Sequence, residues 1–222
     1  MSSASTTTRL LGTAALAVLL SASLLGCSGS DGSDGADDGS SAAASETPYL
    51  PVPDGVELTD QGTQLEVGDP AVVAYEPRQD EVGVLDLNVT KLEQTTIKQS
   101  LSGWQLTAAQ KQSTPYFVHV TVKNVGETDL GGRRVPLYVV NEDDLLLEST
   151  PFASSFEACP STPLPDQFGP GAEADVCLVY LAPDHGTLEA VSFRPDETFD
   201  PITWTGEIEK YVPPKPKKKK KN

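Results

Sequence analysis

From Pro48 onward the large apolar side chains recur mainly at every second position, in short runs broken by Pro, Gly and Asn/Asp. That period belongs to half-buried strands, whose successive side chains point to opposite faces. Leu85, Leu87 and Val89 alternate with Asp86, Asn88 and Thr90, which predicts a strand with one dry and one wet face. Tyr116, Val118, Val120 and Val122 facing in, with Phe117, His119, Thr121 and Lys123 facing out, predict a second one, ended by a turn at Asn124-Val125-Gly126. Runs 137–140 and 176–181 are apolar on both faces, as strands in the middle of a sandwich are, while 72–75, Val191 with Phe193, and Ile202 with Trp204 mark shorter strands. The segment 101–111 alone carries the pattern of a helical turn. Together these predict an all-β fold, an immunoglobulin-like antiparallel β-sandwich of about seven to nine strands over residues 48–212, with a β-barrel as the rival architecture. About 165 residues suit one domain.

Ahead of that domain the pattern changes twice. A polar start with one cation, Arg9, is followed by an apolar stretch over 10–25 that ends in Leu24-Leu25-Gly26-Cys27. This has the three parts of a secretory leader, and its last four residues look like a bacterial lipobox. Sixteen residues interrupted by Gly12, Thr13, Ser21 and Ser23 are too few to span a bilayer, which takes about 20 predominantly apolar ones. The expected product is a leader, 1–26, removed before a lipidated Cys27. Two or more acyl chains then hold the protein stably at the extracytoplasmic face of the cell membrane. An uncleaved anchor, or an ordinary signal peptide with a coincidental cysteine, are the alternatives.

Residues 28–47 contain no large apolar side chain and are dominated by Gly, Ser, Ala and Asp. Such a segment cannot bury enough surface to offset its ordering entropy, so it reads as a disordered tether. Its root-mean-square reach is roughly 25 Å. Asp34-Gly-Ala-Asp-Asp-Gly39 partly resembles the start of a calcium loop. Ala36 stands where the third-position oxygen belongs, however, and Ser45 where a bidentate glutamate belongs.

Beyond Cys27 two cysteines follow, Cys159 and Cys177, an even pair outside the reducing cytosol. They are expected to form a disulfide worth about 3 kcal/mol in the chain-entropy model. Redox pairs sit two residues apart and zinc ligands arrive in close couples. Here 17 residues separate the cysteines and 66 positions separate His119 from His185, so neither a redox dithiol nor a zinc site is expected. His119 falls on a polar strand face and His185 in a Pro-Asp-His-Gly turn, which makes surface residues of both. Two histidines and no methionine after Met1 disfavour copper handling. No metal or other cofactor is expected.

Charge is the second clue. Residues 27–214 carry 32 acidic and 9 basic side chains, a net of −23, whereas residues 215–222 carry six lysines: Lys215, Lys217, Lys218, Lys219, Lys220 and Lys221. Pro213-Pro214-Lys215-Pro216 reads as an extended, polyproline-like start to a disordered basic tail over 213–222. Such a tail suits anionic headgroups or wall polymers, or else fluctuates against the acidic body under salt screening. Nucleic acid is disfavoured, because the body would repel phosphate. The sequence has no Gly-x-Ser-x-Gly elbow, Ser-x-x-Lys, Gly-Lys-Ser/Thr loop or His-Glu-x-x-His. Glu142, Asp143 and Asp144 could pair as acid and base, yet a run after Asn141 between apolar strands is more simply a hairpin loop. No catalytic residue is expected.

Four stretches carry a resemblance: Lys111-x-x-Thr-Pro-Tyr-Phe-Val-His-Val-Thr-Val-Lys-Asn-Val-Gly126, Phe168-Gly-Pro-Gly171, Asp175-Val-Cys-Leu-Val-Tyr-Leu-Ala-Pro183 and Asp200-Pro-Ile-Thr-Trp204. Over roughly residues 70–205 the chain resembles uncharacterised secreted lipoproteins of actinobacteria, which are similar to immunoglobulin-like extracellular domains. The resemblance implies fold and location and brings no active site with it; the basic tail departs from that pattern. The expected function is a lipid-anchored, non-catalytic binding or interaction lipoprotein, using an open sheet face or the loops around the disulfide. A ligand-carrying or hydrolytic domain, or an accessory subunit of an envelope complex, are the alternatives. A carrier or enzyme needs a concave pocket with convergent polar groups, whereas an interaction domain presents a flatter patch.

Overall fold

A computed structural model describes residues 48–213, apart from 153, 155, 161 and 162. The leader, Cys27, the tether with its partial calcium loop, and Lys215 with Lys217, Lys218, Lys219, Lys220 and Lys221 lie outside the described residues.

Among the described residues ten strands form two sheets: β1 (Gln64–Glu66), β2 (Pro70–Arg78), β3 (Glu81–Gln94), β4 (Thr114–Asn124), β5 (Tyr138–Asn141), β6 (Leu146–Glu148), β7 (Glu173–Ala182), β8 (Leu188–Phe193), β9 (Ile202–Thr205) and β10 (Ile208–Lys210). One sheet runs β1-β9-β8-β5-β6. In the other, β3 pairs with β4 and β4 with β7, while the free edge of β3 is shared, β2 covering its first half and β10 its end. The fold is therefore an all-β sandwich of two antiparallel-rich sheets. Two pairings are parallel, β1 with β9 and β10 with β3. Both parallel strands are three-residue additions at sheet edges, and with β6 they bring the number of strands to ten.

The seven strands from β3 to β9 pair as β9-β8-β5-β6 and β7-β4-β3. An immunoglobulin sandwich pairs its strands A-B-E-D and C-F-G. Read from β9 back to β3, this chain reproduces that pairing strand for strand, so the partition is of immunoglobulin type with the chain running the opposite way.

Between the sheets lies the core predicted by the alternation. Leu85, Leu87, Val89, Tyr116, Val118, Val120 and Val122 are all buried there, with Phe193, Ile202 and Trp204 from the facing sheet. A bulge between Val89 and Lys91 leaves Thr90 without a partner across β4. The extra residue restores phase, so that Leu92, three positions after Val89, again points inward. Two buried groups of the inner core find partners: Tyr180 donates to the Leu137 carbonyl (2.8 Å) and Trp204 Nε1 to that of Asp69 (2.9 Å).

The outward side of β4 departs from expectation. Phe117 points away from the main core as the period demands, yet it is fully buried. A second apolar cluster covers it, built from Leu101, Phe156, Val179 and the disulfide, with Ile97, Trp104, Phe152 and Tyr211 packed against them. The periodicity assigned the face correctly, but covering by loops distant in sequence made that face dry. The helical turn also shifts: a single turn, α1 (Ile97–Ser100), precedes the predicted segment, and a 3-10 turn (Gln110–Gln112) closes it. Thr96 caps α1 by accepting the Gln99 amide (3.1 Å), which the sequence signals as a β-branched hydroxyl just before the turn. Among the described residues no helix is long and apolar enough to cross a membrane.

Candidate functional site

The two cysteines of the domain are bonded to each other, Cys159 to Cys177, with Cα atoms 5.2 Å apart. The bond pins the loop carrying Phe152 and Phe156 onto the outer face of β7. Opposite Cys177 in the β4–β7 register stands His119, its Nε2 3.9 Å from Cys177 Sγ and 2.8 Å from a Glu93 carboxylate oxygen. The other Glu93 oxygen accepts from Lys91 Nζ at 2.7 Å, and Lys91 also meets Glu209 at 3.2 Å. Burial pushes the Glu93 carboxyl up, but the hydrogen bonds from Lys91 and His119 outweigh it and hold the group below the ordinary glutamate range. His119 is thus half-buried in an ion-pair chain rather than a plain surface residue. With both sulfurs in the disulfide no thiolate is left for zinc, and among the described residues no group of three or more His, Cys, Asp and Glu side chains is placed to hold a metal.

Of the clefts lined by described residues, two bear on function. The first, about 670 Å³, lies where Tyr49, Tyr75 and Phe199 meet Arg133 and Arg134. Tyr49 accepts the Ala74 amide (3.0 Å) and packs edge-on against Phe199. The Tyr75 hydroxyl is buried with no hydrogen-bond partner among the described residues. Its burial pushes the phenol up to about 12, against the pull of the Arg133 charge. Glu76 and Asp196 share the walls with the arginines, so this cleft has no excess charge. The side-chain and backbone hydrogen bonds of Thr198 hold Asp196 below its ordinary range, with the Arg194 charge assisting.

The second cleft, about 600 Å³, lies at the end of β3 and the start of β4. Lys98 of α1, Lys111 of the 3-10 turn, Lys210 of β10 and His185 stand around it, over hydroxyls of Thr95, Thr96 and Ser113, and no carboxylate lines it. His185 binds Gln112 (3.1 Å) and so ties the turn carrying Lys111 to the Pro183–His185 turn. Asp184 and His185 both take left-handed backbone angles there, φ 52° and 63°, a conformation that Asp and His tolerate better than most residues. The chain leaves the domain at this cleft, where the Tyr211 amide donates to the Gln94 carbonyl (2.9 Å) before Pro213.

Among the sequence-predicted residues, Glu142, Asp143 and Asp144 form the β5–β6 loop, closed by Asn141 Oδ1 accepting the Asp143 and Leu145 amides. Glu142 is turned aside to accept the Thr187 amide, and its own backbone amide, assisted by that contact, holds its carboxyl below the ordinary range. His119 and His185 lie on different constellations. Sequence reasoning did not single out Lys98, Lys111 and Lys210, which lie far apart along the chain and have no local motif; their only signal is scarcity, as three of nine basic residues in an acidic body. No family model, curated protein or solved structure matches this chain.

Proposed function

We propose that the protein is a lipid-anchored extracytoplasmic lipoprotein of actinobacterial type, anchored through Cys27, that acts without catalysis as an interaction domain for an anionic partner. The observation that carries the reading is the position of the basic end. The chain leaves the fold beside Lys210, at a cleft lined by lysines and free of carboxylates, and six further lysines follow in sequence after Pro214. Elsewhere the domain is strongly acidic, so an anionic partner is attracted at one end and repelled over most of the remaining surface. The lipobox-like leader and the Cys159–Cys177 disulfide, which suits an oxidising compartment, support the location.

The test is a pulldown of the acylated protein from its native envelope beside a variant truncated after Pro214, washed at two salt concentrations. Recovery of a partner that needs the tail and is lost at high salt is expected; recovery by neither form overturns the reading. Replacing Cys27 with Ser should release the protein from the membrane fraction, and retention of that variant overturns the anchor. The Tyr75 cleft favours a second reading, a ligand carrier, since a concavity of about 670 Å³ is of small-molecule size.

A further inference from the structure

We propose that the cleft bounded by Lys98, Lys111 and Lys210 is a phosphate-binding site for a soluble polyanion carrying phosphate along its length, rather than for headgroups of the bilayer. This rests on the reading of an anionic partner at the basic end and names its chemistry and the residues that hold it.

The three ammonium groups come from three separate elements and are solvent-exposed. Among the described residues none of them has a carboxylate oxygen within 4.0 Å, whereas Lys91, Arg78 and Arg134 are each paired. Three acids near the cleft are engaged elsewhere, Glu93 with Lys91 and His119, Glu209 with Lys91, and Glu142 with the Thr187 amide, while Asp184 and Glu157 lie outside its lining. A hydroxyl completes the site. Thr96 Oγ1 accepts the Gln99 amide, which leaves its own proton to donate; Thr95, bonded to Ser100, and Ser113, donating to the Ala109 carbonyl, form the buried floor without adding a free donor. Convergent ammonium and hydroxyl donors match the three or four oxygens of a phosphoryl group, to which charge-assisted hydrogen bonds are about twice as strong as neutral ones.

The position of the cleft selects the source. The chain comes into the domain beside Tyr49, whose hydroxyl holds the Ala74 amide, and Ala74 pairs with Val84 near the start of β3. Gln94, at the cleft, is the last residue of β3. Ten residues of extended strand separate these points by roughly 33 Å. A domain tethered through its N-terminal side therefore carries the cleft at the end farther from the attachment point, where a polymer outside the bilayer has access to it.

The experiment uses the full mature chain with Cys27→Ser, so that no acyl chain holds it on a bilayer, with fluorescein-labelled inorganic polyphosphate of defined length as one probe and phosphatidylcholine vesicles containing phosphatidylglycerol as the other. The variants are K98Q/K111Q/K210Q, the chain ending at Pro214, and K123Q as a control on the exposed far end of β4. Because all three lysines of the triple variant are exposed, its thermal midpoint should match that of the parent. Polyphosphate affinity should fall about tenfold or more in the triple variant, with and without the tail, and stay unchanged in K123Q. Vesicle binding should follow the tail and ignore the triple substitution. Unchanged polyphosphate affinity in the triple variant overturns the site; if truncation alone then abolishes binding, the tail is the binder and the broader function stands. Loss of vesicle binding in the triple variant to the same extent overturns the soluble source. Equal competition by polyglutamate of matched charge overturns the phosphate class. Absence of binding in every form overturns this inference and the anionic partner together.

Discussion

The side-chain amide of Asn124 donates to the backbone carbonyl of Phe168 at 2.8 Å, across 44 positions of sequence. Its second proton goes to the Thr128 carbonyl, also at 2.8 Å, and its oxygen accepts the Gly126 amide at 3.0 Å. Asn124 is fully buried, and its backbone pairs with Ala172 and Gly171. The strand-ending Asn-Val-Gly turn and the Phe-Gly-Pro-Gly turn are therefore one structural unit.

Replacing Asn124 with Ala removes three hydrogen bonds; the Phe168 carbonyl keeps the Leu130 amide and the Gly126 amide keeps the Val84 carbonyl, so the loss falls mainly on the Thr128 carbonyl and on the tie between the two turns. The expected cost is about 1–3 kcal/mol. Asn124→Asp should be at least as damaging, because a carboxylate offers no proton to the Thr128 and Phe168 carbonyls. Urea melts of both variants check this; a loss under about 0.5 kcal/mol, the usual range for an unconstrained surface change, would show that the two turns hold together without the side chain.

Phe117 separates the reading from periodicity alone from the packed structure. As a residue on a wet strand face it would tolerate Phe117→Ser with little loss. Buried against Phe156 and Tyr211, with ring centroids 5.8 and 5.0 Å away, it should cost about 3–5 kcal/mol on truncation to Ala, and Ser should cost more. Calorimetric midpoints of the two variants decide between the expectations.

The inner core was legible in the sequence because its signal is local: Leu85, Leu87 and Val89 repeat at the strand period, and so do Val118, Val120 and Val122. The second cluster was not, because Ile97, Trp104, Phe152 and Phe156 lie in segments without a period, and only the closure of loops over β4 and β7 brings them together. The short strands β1, β6 and β10 were missed because three residues carry too little pattern to read. For the candidate site the same rule holds. The lysine tail is contiguous and visible in the sequence, whereas Lys98, Lys111 and Lys210 converge only once α1, the 3-10 turn and β10 are placed.

Opening the disulfide should unfasten this second layer before the sandwich itself. Removing the link in a Cys159→Ala/Cys177→Ala variant should cost about 3 kcal/mol in the chain-entropy model for a loop of this length. Trp104 packs against Phe152 and Phe156 at 4.5 and 5.7 Å, while Trp204 is fully buried in the main core. In a Trp204→Phe background that still folds, Trp104 emission should shift to the red when the bond is removed; in a Trp104→Phe background the remaining indole should not respond. A response from Trp204 alone would mean that the disulfide supports the inner core instead.

Acid should weaken the His119–Glu93–Lys91 chain. Glu93 has its folded-state pKa held below the ordinary value, so its contribution is present above the unfolded-state pKa and is lost as the pH falls through the folded-state value. Lys91 is partly exposed, which screens the pair, and Glu93→Gln is expected to cost about 1 kcal/mol at pH 7. Between about pH 5 and pH 3 the wild type should lose stability faster than Glu93→Gln, until the two converge. Parallel acid dependence in urea melts would show that the network contributes nothing to the pH profile.

Tyr75 offers the opposite sign. Among the described residues its buried hydroxyl has no partner, so the folded state bears the cost of stripping water from it and regains no hydrogen bond. Removing the oxygen should therefore stabilise the domain, and Tyr75→Phe is expected to gain about 1 kcal/mol at pH 7. The phenol is pushed up to about 12 by burial, so the folded state holds its proton more tightly than the unfolded chain, in which it ionises near 10. That preference contributes nothing below about pH 9, and stability falls as the pH rises from the unfolded-state value toward the folded-state one. The wild type should consequently lose ground against Tyr75→Phe between pH 9 and pH 11, the gap widening by on the order of 1 kcal/mol for each pH unit above 10. Equilibrium unfolding of the two proteins at pH 7, 9 and 11 measures both effects. A Tyr75→Phe variant less stable than wild type at pH 7 would mean that the hydroxyl has a partner in solution, and would direct attention to the Arg133 side of the cleft as its source.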